Sequence, residues 1–333
     1  SDESAFSAER AFSDEGLEPG TRLALRVEYD GRPFSGWQAQ TRLAVPTVQE
    51  TVETALSSVA NQQIRTHCAG RTDTGVHATG QIVHFDDPVG RSVKSWVLGG
   101  NSALPPSVSI HWGGTVTGEF HARFSAESRR YRYIISNTPT RPAQMAGLVT
   151  WYRRPLSADA MNTAAQILLG EHDFSAFRAA SCQSSTPWRH VTSIQVERSN
   201  DFVIIDVTAN AFLHHMVRNI AGSLLLVGAG LRSQEWFQTV FLGADRARSG
   251  DTASPAGLYL VSVDYPRECG VPPSGTTLLL DFLHQTDEFC TYSYRHMPFI
   301  LTPLLWKKLS KPFAKQGESV ERAHGDGMEV SID

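Results

Sequence analysis

Asp73 is the residue around which chemistry can be built. It stands in Gly70-Arg71-Thr72-Asp73-Thr74-Gly75-Val76-His77, a single carboxylate between two glycines, with an arginine two places before it. A strand-like run, Gln81-Ile82-Val83-His84-Phe85, follows closely. An acid in a tight glycine turn at a strand entrance combines a fixed backbone with an accessible side chain, as a nucleophile or general base requires. The plain alternative is an Asx turn that only caps the strand. Further along, Arg123, Arg129, Arg130 and Arg132 are interleaved with Phe120, Phe124, Tyr131 and Tyr133. Guanidinium groups pair with phosphates and rings stack on exposed bases, so the stretch suits an RNA ligand; it also suits a strand with one solvated face. His214 and Arg218 are four apart on an expected helix, so they share a face from which an arginine could reach a carboxylate. Two loop-like stretches, ending in Phe177-Arg178 and in Trp188-Arg189-His190, also mix rings with arginine.

Those residues need elements to position them. Residues 1–20 hold six acids and one arginine, a net of −5, and read as a disordered tail; the remainder of the chain then carries +1 out of the total of −4. A near-neutral body can still present a basic face, so the total charge does not decide the partner. Leu23, Leu25, Val27 and Tyr29 alternate as in a strand, and Thr47-Val48-Gln49-Glu50 is a capping box that opens a helix. The Asp73 loop and its strand come next. A short helix over 92–98, ended by Gly99-Gly100-Asn101, and a strand over 108–112 complete an N-terminal α+β domain spanning 21–115.

A second α+β domain is expected over 116–265, with a strand at 131–135 and a helix through Met161, Ala164, Ala165 and Leu168 that stops at Gly170. It continues with a hairpin of 194–197 with 202–207, a long helix over 213–227 and a closing strand at 258–263. Residues 266–333 form a C-terminal extension with no assigned role, although 278–283 and 299–301 are apolar. No apolar run approaches membrane-spanning length, and no signal-peptide core is visible. The four cysteines, Cys68, Cys182, Cys269 and Cys290, form no CxxC pair. That argues against a zinc site or a disulfide framework and suits a reducing cytoplasm.

The chain resembles the TruA-type tRNA pseudouridine synthases. The resemblance rests on seven blocks in the family's order across about residues 22–265: Tyr29-Asp30-Gly31 with Gly36-Trp37-Gln38; Gly70-Arg71-Thr72-Asp73 with Gly75-Val76-His77-Ala78; and Phe120-His121-Ala122-Arg123-Phe124-Ser125-Ala126. It continues in Arg130-Tyr131-Arg132-Tyr133, Gly170-Glu171-His172-Asp173-Phe174, Phe212-Leu213-His214-His215-Met216-Val217-Arg218-Asn219 and Pro255-Ala256-Gly257-Leu258. Thr74 departs from the small residue, often alanine, expected there. The resemblance implies the pseudouridine synthase fold, two tandem α/β subdomains with mostly antiparallel sheets around a central cleft. It implies that Asp73 is the catalytic aspartate, that Tyr131 stacks on the uracil and helps remove the C5 proton, and that Arg218 pairs with the aspartate. Arg71, Arg123, Arg130, Arg178, Arg189 and His214 are the expected tRNA contacts. The implied reaction converts uridine to pseudouridine at positions 38, 39 and 40 of the tRNA anticodon stem-loop, on a flipped-out base, with no cofactor and no metal. A cytoplasmic homodimer binding tRNA is implied as well.

Two other readings compete. Asp73-Thr74-Gly75 spells the aspartic-protease triplet, but Arg71-Thr72 precede it where apolar strand residues belong. A non-catalytic tRNA-binding protein is the second, and the joint presence of Asp73, Tyr131 and Arg218 argues against it.

Overall fold

The computed structural model describes residues 12–39 and 45–273. The apolar runs at 278–283 and 299–301 and the first eleven residues of the acidic tail lie outside them. The rest of that tail departs from the expectation of disorder. Phe12 and Leu17 pack on the core, the Leu17 amide donates to the Gly90 carbonyl (3.1 Å), and Lys94 pairs with Asp14 (2.9 Å). Two apolar side chains are enough to tie down a stretch whose composition is otherwise polar.

The strands are β1 (Arg22–Tyr29), β2 (His67–Cys68), β3 (His77–Asp86), β4 (Val108–Thr115), β5 (Ser128–Ser136), β6 (Thr150–Trp151), β7 (Gly170–Asp173), β8 (Trp188–Ser199), β9 (Phe202–Ala209) and β10 (Leu258–Asp264). They form one sheet in the order β4-β1-β3-β10-β5-β9-β8-β7, with β2 on β3 and β6 on β5. Pairing is antiparallel except β3 with β10 and β5 with β6. Strands from 21–115 and from 116–265 meet where Tyr259 and Leu260 lie beside His77 and Ala78. The fold is therefore α+β, with a mostly antiparallel sheet.

Alternation in β1 is only half the pattern. Leu23, Leu25 and Val27 are buried, but so are Ala24 and Arg26 on the other face. The Arg26 guanidinium sits over the Trp112 ring, 5.8 Å from its centroid, so its charge has an aromatic partner inside the fold.

Helix α1 (Val48–Ala60) opens at the expected box. The Thr47 hydroxyl accepts from the Glu50 amide (3.4 Å) and donates to the Glu50 carboxylate (2.6 Å). The short helix expected at 92–98 runs instead from Ser95 through Ala103, and Gly99 and Gly100 continue it rather than end it. Gly100 is buried against Ile110 and Leu56, where a Cβ would lie 2.8 Å from Ile110, so these glycines serve packing rather than termination. Helix α2 (Ala158–Ala165) packs on β8 and on α3 (Met216–Gly228). Helix α3 carries Ile220, Ala221 and Leu224 into the core; α4 (Gln234–Leu242) follows it. The 194–207 hairpin forms with longer arms, turning through Asn200 at φ 50°.

Candidate active site

The Asp73 loop is clamped from both sides by backbone contacts that its neighbours make possible. The amide of Trp37 donates to the Thr72 carbonyl (3.0 Å), and the Val76 amide closes the turn on the Asp73 carbonyl (3.1 Å). A Cβ on Gly31 would stand 2.1 Å from the Val76 carbonyl oxygen, so only glycine lets the two loops touch. The fully buried Gln81 side chain donates to the Gly70 carbonyl and accepts from the Gly70 amide, and Tyr29 Oη bonds Thr72 Oγ1 (2.7 Å). The first two family blocks are thus two halves of one mount.

Three side chains meet the Asp73 carboxylate. Arg218 Nη1 donates to Oδ2 (3.3 Å), His214 Nε2 lies 3.2 Å from Oδ1, and His215 Nε2 lies 3.3 Å from Oδ2. All three are nitrogen groups, whereas an aspartic-protease dyad sets two carboxylates against each other to share one proton. Arg218 is itself held: its Nε donates to the Ala253 carbonyl (2.8 Å), while its own carbonyl accepts from the Ala253 amide (3.1 Å). Because a carboxylate only accepts, contact through Nε2 fits the imidazole tautomer with hydrogen on Nε2. The hydroxyl of Ser181, 3.0 Å from His214 Nδ1, completes that arrangement. Burial lowers the His215 pKa against the opposing pull of Asp73, and the neighbouring His214 and Arg218 add to the lowering.

The expected helical face of His214 and Arg218 is not how the two converge. Helix α3 begins at Met216, and His215 before it adopts a left-handed φ of 61°. That single turn swings both imidazoles toward Asp73 while Arg218 reaches it from the first turn of the helix. His215 stands in the same block as His214 without a signal of its own, since a positive φ on a non-glycine residue leaves no mark in the sequence.

A cleft of about 1300 Å³ runs from Trp37 past Asp73 and Tyr131 to Arg123 and Arg189, and a second cavity of about 620 Å³ shares its Asp73–Arg218 wall. Tyr131 is largely buried in the cleft, its ring edge-on to Phe212 (4.9 Å between centroids). Burial, reinforced by the charge of Asp73, pushes its phenol well above the ordinary tyrosine value.

The arginines divide. Arg71 and Arg123 are exposed on the cleft. Arg130 is not in it: its guanidinium makes two 2.7 Å bonds to Asp206 on β9, and Arg132 joins the same carboxylate (3.0 Å). Strand alternation puts 130 and 132 on the face away from Tyr131. Arg178 donates to the carbonyls of Cys182 and Ser184, and the buried Arg189 to those of Thr186 and Trp188, so both brace the loop between β7 and β8. Arg129, which is not among the expected tRNA contacts, lies on Tyr131's face and donates to the Ala69, Arg123, Ala126 and Asn210 carbonyls beneath the cleft. The same alternation that removes Arg130 identifies it.

Fold and site together define an enzyme-like cleft of the α+β class, centred on one clamped acid, with arginines along its walls. Residues 25–124 and 164–266 match the family model of tRNA pseudouridine synthases. The tRNA pseudouridine synthase A of Aeromonas hydrophila is 53% identical over 270 residues, covering 80% of this chain and 100% of that protein. That of Photobacterium profundum is 54% identical over 253 residues, 76% of this chain and 96% of the other. Cronobacter sakazakii has a third, 50% identical over 265 residues, 79% and 97%. Among solved structures, an archaeal box H/ACA ribonucleoprotein overlaps with a TM-score of 0.32 at 11% identity, over 66% of this chain and 51% of that one, too slight a likeness to argue from. The chain belongs to the tRNA pseudouridine synthase family.

Proposed function

We propose that this chain is an isomerase that converts uridine to pseudouridine at positions 38, 39 and 40 of the tRNA anticodon stem-loop, with Asp73 as its catalytic carboxylate. The observation that carries the reading is the convergence of Arg218, His214 and His215 on that one acid at a cleft wall, in a chain of this family. The reaction breaks the N1–C1′ bond and forms a C5–C1′ bond. C5 gives up a proton and N1 gains one, so nothing is oxidised or reduced overall. The Asp73 carboxylate acts at C1′ or on the base; either role uses an anion, and Arg218 supplies the counter-charge.

The target base must leave its stack to reach an acid in this position. Tyr131 then stacks on the uracil and assists removal of the C5 proton. Its phenol is held protonated, so it serves that step as a relay: it takes up the C5 proton as it passes its own proton on towards N1, the atom that must gain one. Arg71 and Arg123 pair with backbone phosphates in this reading, which their exposure on the cleft supports. A homodimer and a cytoplasmic setting belong to the same proposal; among the described residues no helix is long and apolar enough to cross a membrane. Light scattering of the purified protein tests the dimer.

The deciding experiment maps pseudouridine in an unmodified tRNA transcript after incubation with wild-type protein and with Asp73→Asn. The Asn variant is expected to bind tRNA and make no pseudouridine. Equal modification by both would remove Asp73 from the chemistry, and no modification by wild type would favour a protein that only binds tRNA.

A further inference from the structure

Of the four rings interleaved with arginines over 120–133, three are taken into the fold: Phe120 and Tyr133 are buried, and Tyr131 is 8% exposed. Phe124 is 75% exposed, more than any other large apolar side chain among the described residues, and it borders the same cleft as Asp73. A single exposed apolar residue is ordinary. What sets this one apart is the framework that keeps it exposed. His121 Nδ1 accepts from the amides of Arg123 (3.1 Å) and Phe124 (3.4 Å). His121 and Ser125 bond reciprocally, the His121 amide to Ser125 Oγ (3.0 Å) and the Ser125 amide to the His121 carbonyl (2.9 Å). The Ala122 amide donates to the buried His84 Nδ1 (3.1 Å), and the Tyr265 hydroxyl donates to the Ala122 carbonyl (2.6 Å). A loop tied at so many points cannot fold its ring back onto the core. The His121 ring packs beside Phe124 (4.4 Å between centroids) and the Arg123 guanidinium lies 5.6 Å from the ring centre. A flat apolar face is thus preorganised, with a cation next to it.

We propose that Phe124 is a stacking platform for an unpaired nucleobase in the RNA loop flanking the target uridine, with Arg123 on the adjoining phosphate. The inference rests on the RNA-modifying reading of the Asp73 cleft. A base is the occupant the chemistry favours, because every nucleobase offers a π face and brings a phosphate within reach of the neighbouring arginine. The apolar side chain of a protein partner would cover the ring equally well, but it would leave Arg71 and Arg123 facing it without a matching anion.

Phe124→Ala and Phe124→Trp are compared with wild type on the anticodon stem-loop, and on copies in which one loop nucleotide beside the target is abasic. Loss of one stacked base predicts that Phe124→Ala raises KM about 5- to 150-fold, with a smaller change in kcat. The melting temperature should not move, since the ring is exposed, and Phe124→Trp should keep the wild-type KM. At the stacked position, the abasic RNA should weaken wild type as much as the alanine change does, and combining the two should add nothing. Equal KM for wild type and Phe124→Ala, or losses that add in full at every position, overturns the platform while active wild type preserves the functional reading. Failure of wild type to form pseudouridine at all takes down both.

Discussion

His84 gives the sharpest quantitative test of the structure. Its imidazole is buried on β3, and its Nδ1 is occupied as acceptor for the Ala122 amide, so protonation at that nitrogen breaks the bond that anchors the Phe124 loop. The rings of His121 (4.7 Å) and His67 (5.1 Å) pack against it. Burial first, then the His121, His67 and Arg22 charges, push its pKa down to about 4 against a weaker upward pull from Asp86. The sign follows from linkage: the unfolded chain takes up this proton near pH 6.5 and the folded chain only near 4. The stabilisation is therefore whole above about pH 6.5 and drains away as pH falls. For that pair of values, the loss attributable to His84 is about 2 kcal/mol by pH 5 and about 3 kcal/mol once both states are protonated. The assay is urea unfolding across this pH range for wild type and His84→Asn, whose Oδ1 replaces Nδ1 as acceptor without titrating. Burial also lowers the His77 and His215 pKa values, and their share cancels in the difference between the two proteins. Wild type should lose about 2 kcal/mol more than the variant between pH 7 and 5. Equal losses, or a His84 ring resonance that titrates near 6.5, would refute the reasoning.

Other substitutions probe the mount and the strand faces. Arg218→Lys keeps the charge but cannot bond the Ala253 carbonyl and Asp73 together, so kcat should fall on the order of 10²-fold with an almost unchanged melting temperature. Activity within threefold of wild type would show that charge alone suffices. Gly222→Ala places a Cβ 1.8 Å from the Asp251 carbonyl oxygen, in the segment that fixes Arg218. It should cost about 3 kcal/mol in unfolding free energy and depress turnover even while the protein remains folded; wild-type stability would show that the segment yields. Arg130→Ala should leave tRNA affinity and its salt dependence unchanged, since Asp206 occupies that guanidinium and Arg132 remains as its partner. The effect on stability should stay within about 1 kcal/mol. A drop in the salt slope of binding would place Arg130 on the RNA instead.

Residue type and periodicity were enough to find the Asp73 loop, its strand, the capped helix and the hairpin, because each is set by local chemistry. Helix boundaries failed where tertiary packing decides them: Gly99 and the buried Gly100 extend a helix they would ordinarily end, and His215 begins α3 three residues late through a left-handed turn. Arginine roles were the least legible. Arg71, Arg130 and Arg178 look alike in a sequence, and only their surroundings, open cleft, Asp206 or loop carbonyls, separate an arginine left facing the cleft from one that braces the fold. Phe124 and Phe120 are likewise four positions apart and opposite in fate.

The place of β10 in the sheet has a bearing on how the molecule is made. The last-synthesised of the described strands is inserted at the centre, between β3 and β5, so neither flank can join the other until residues 258–264 have emerged. Asp73 leaves the ribosome long before Arg218, and Ala253, which fixes that arginine, comes later still. A nascent chain therefore carries an acid with no clamp, and competence should appear in one late step when residues 253–264 lock the two flanks together.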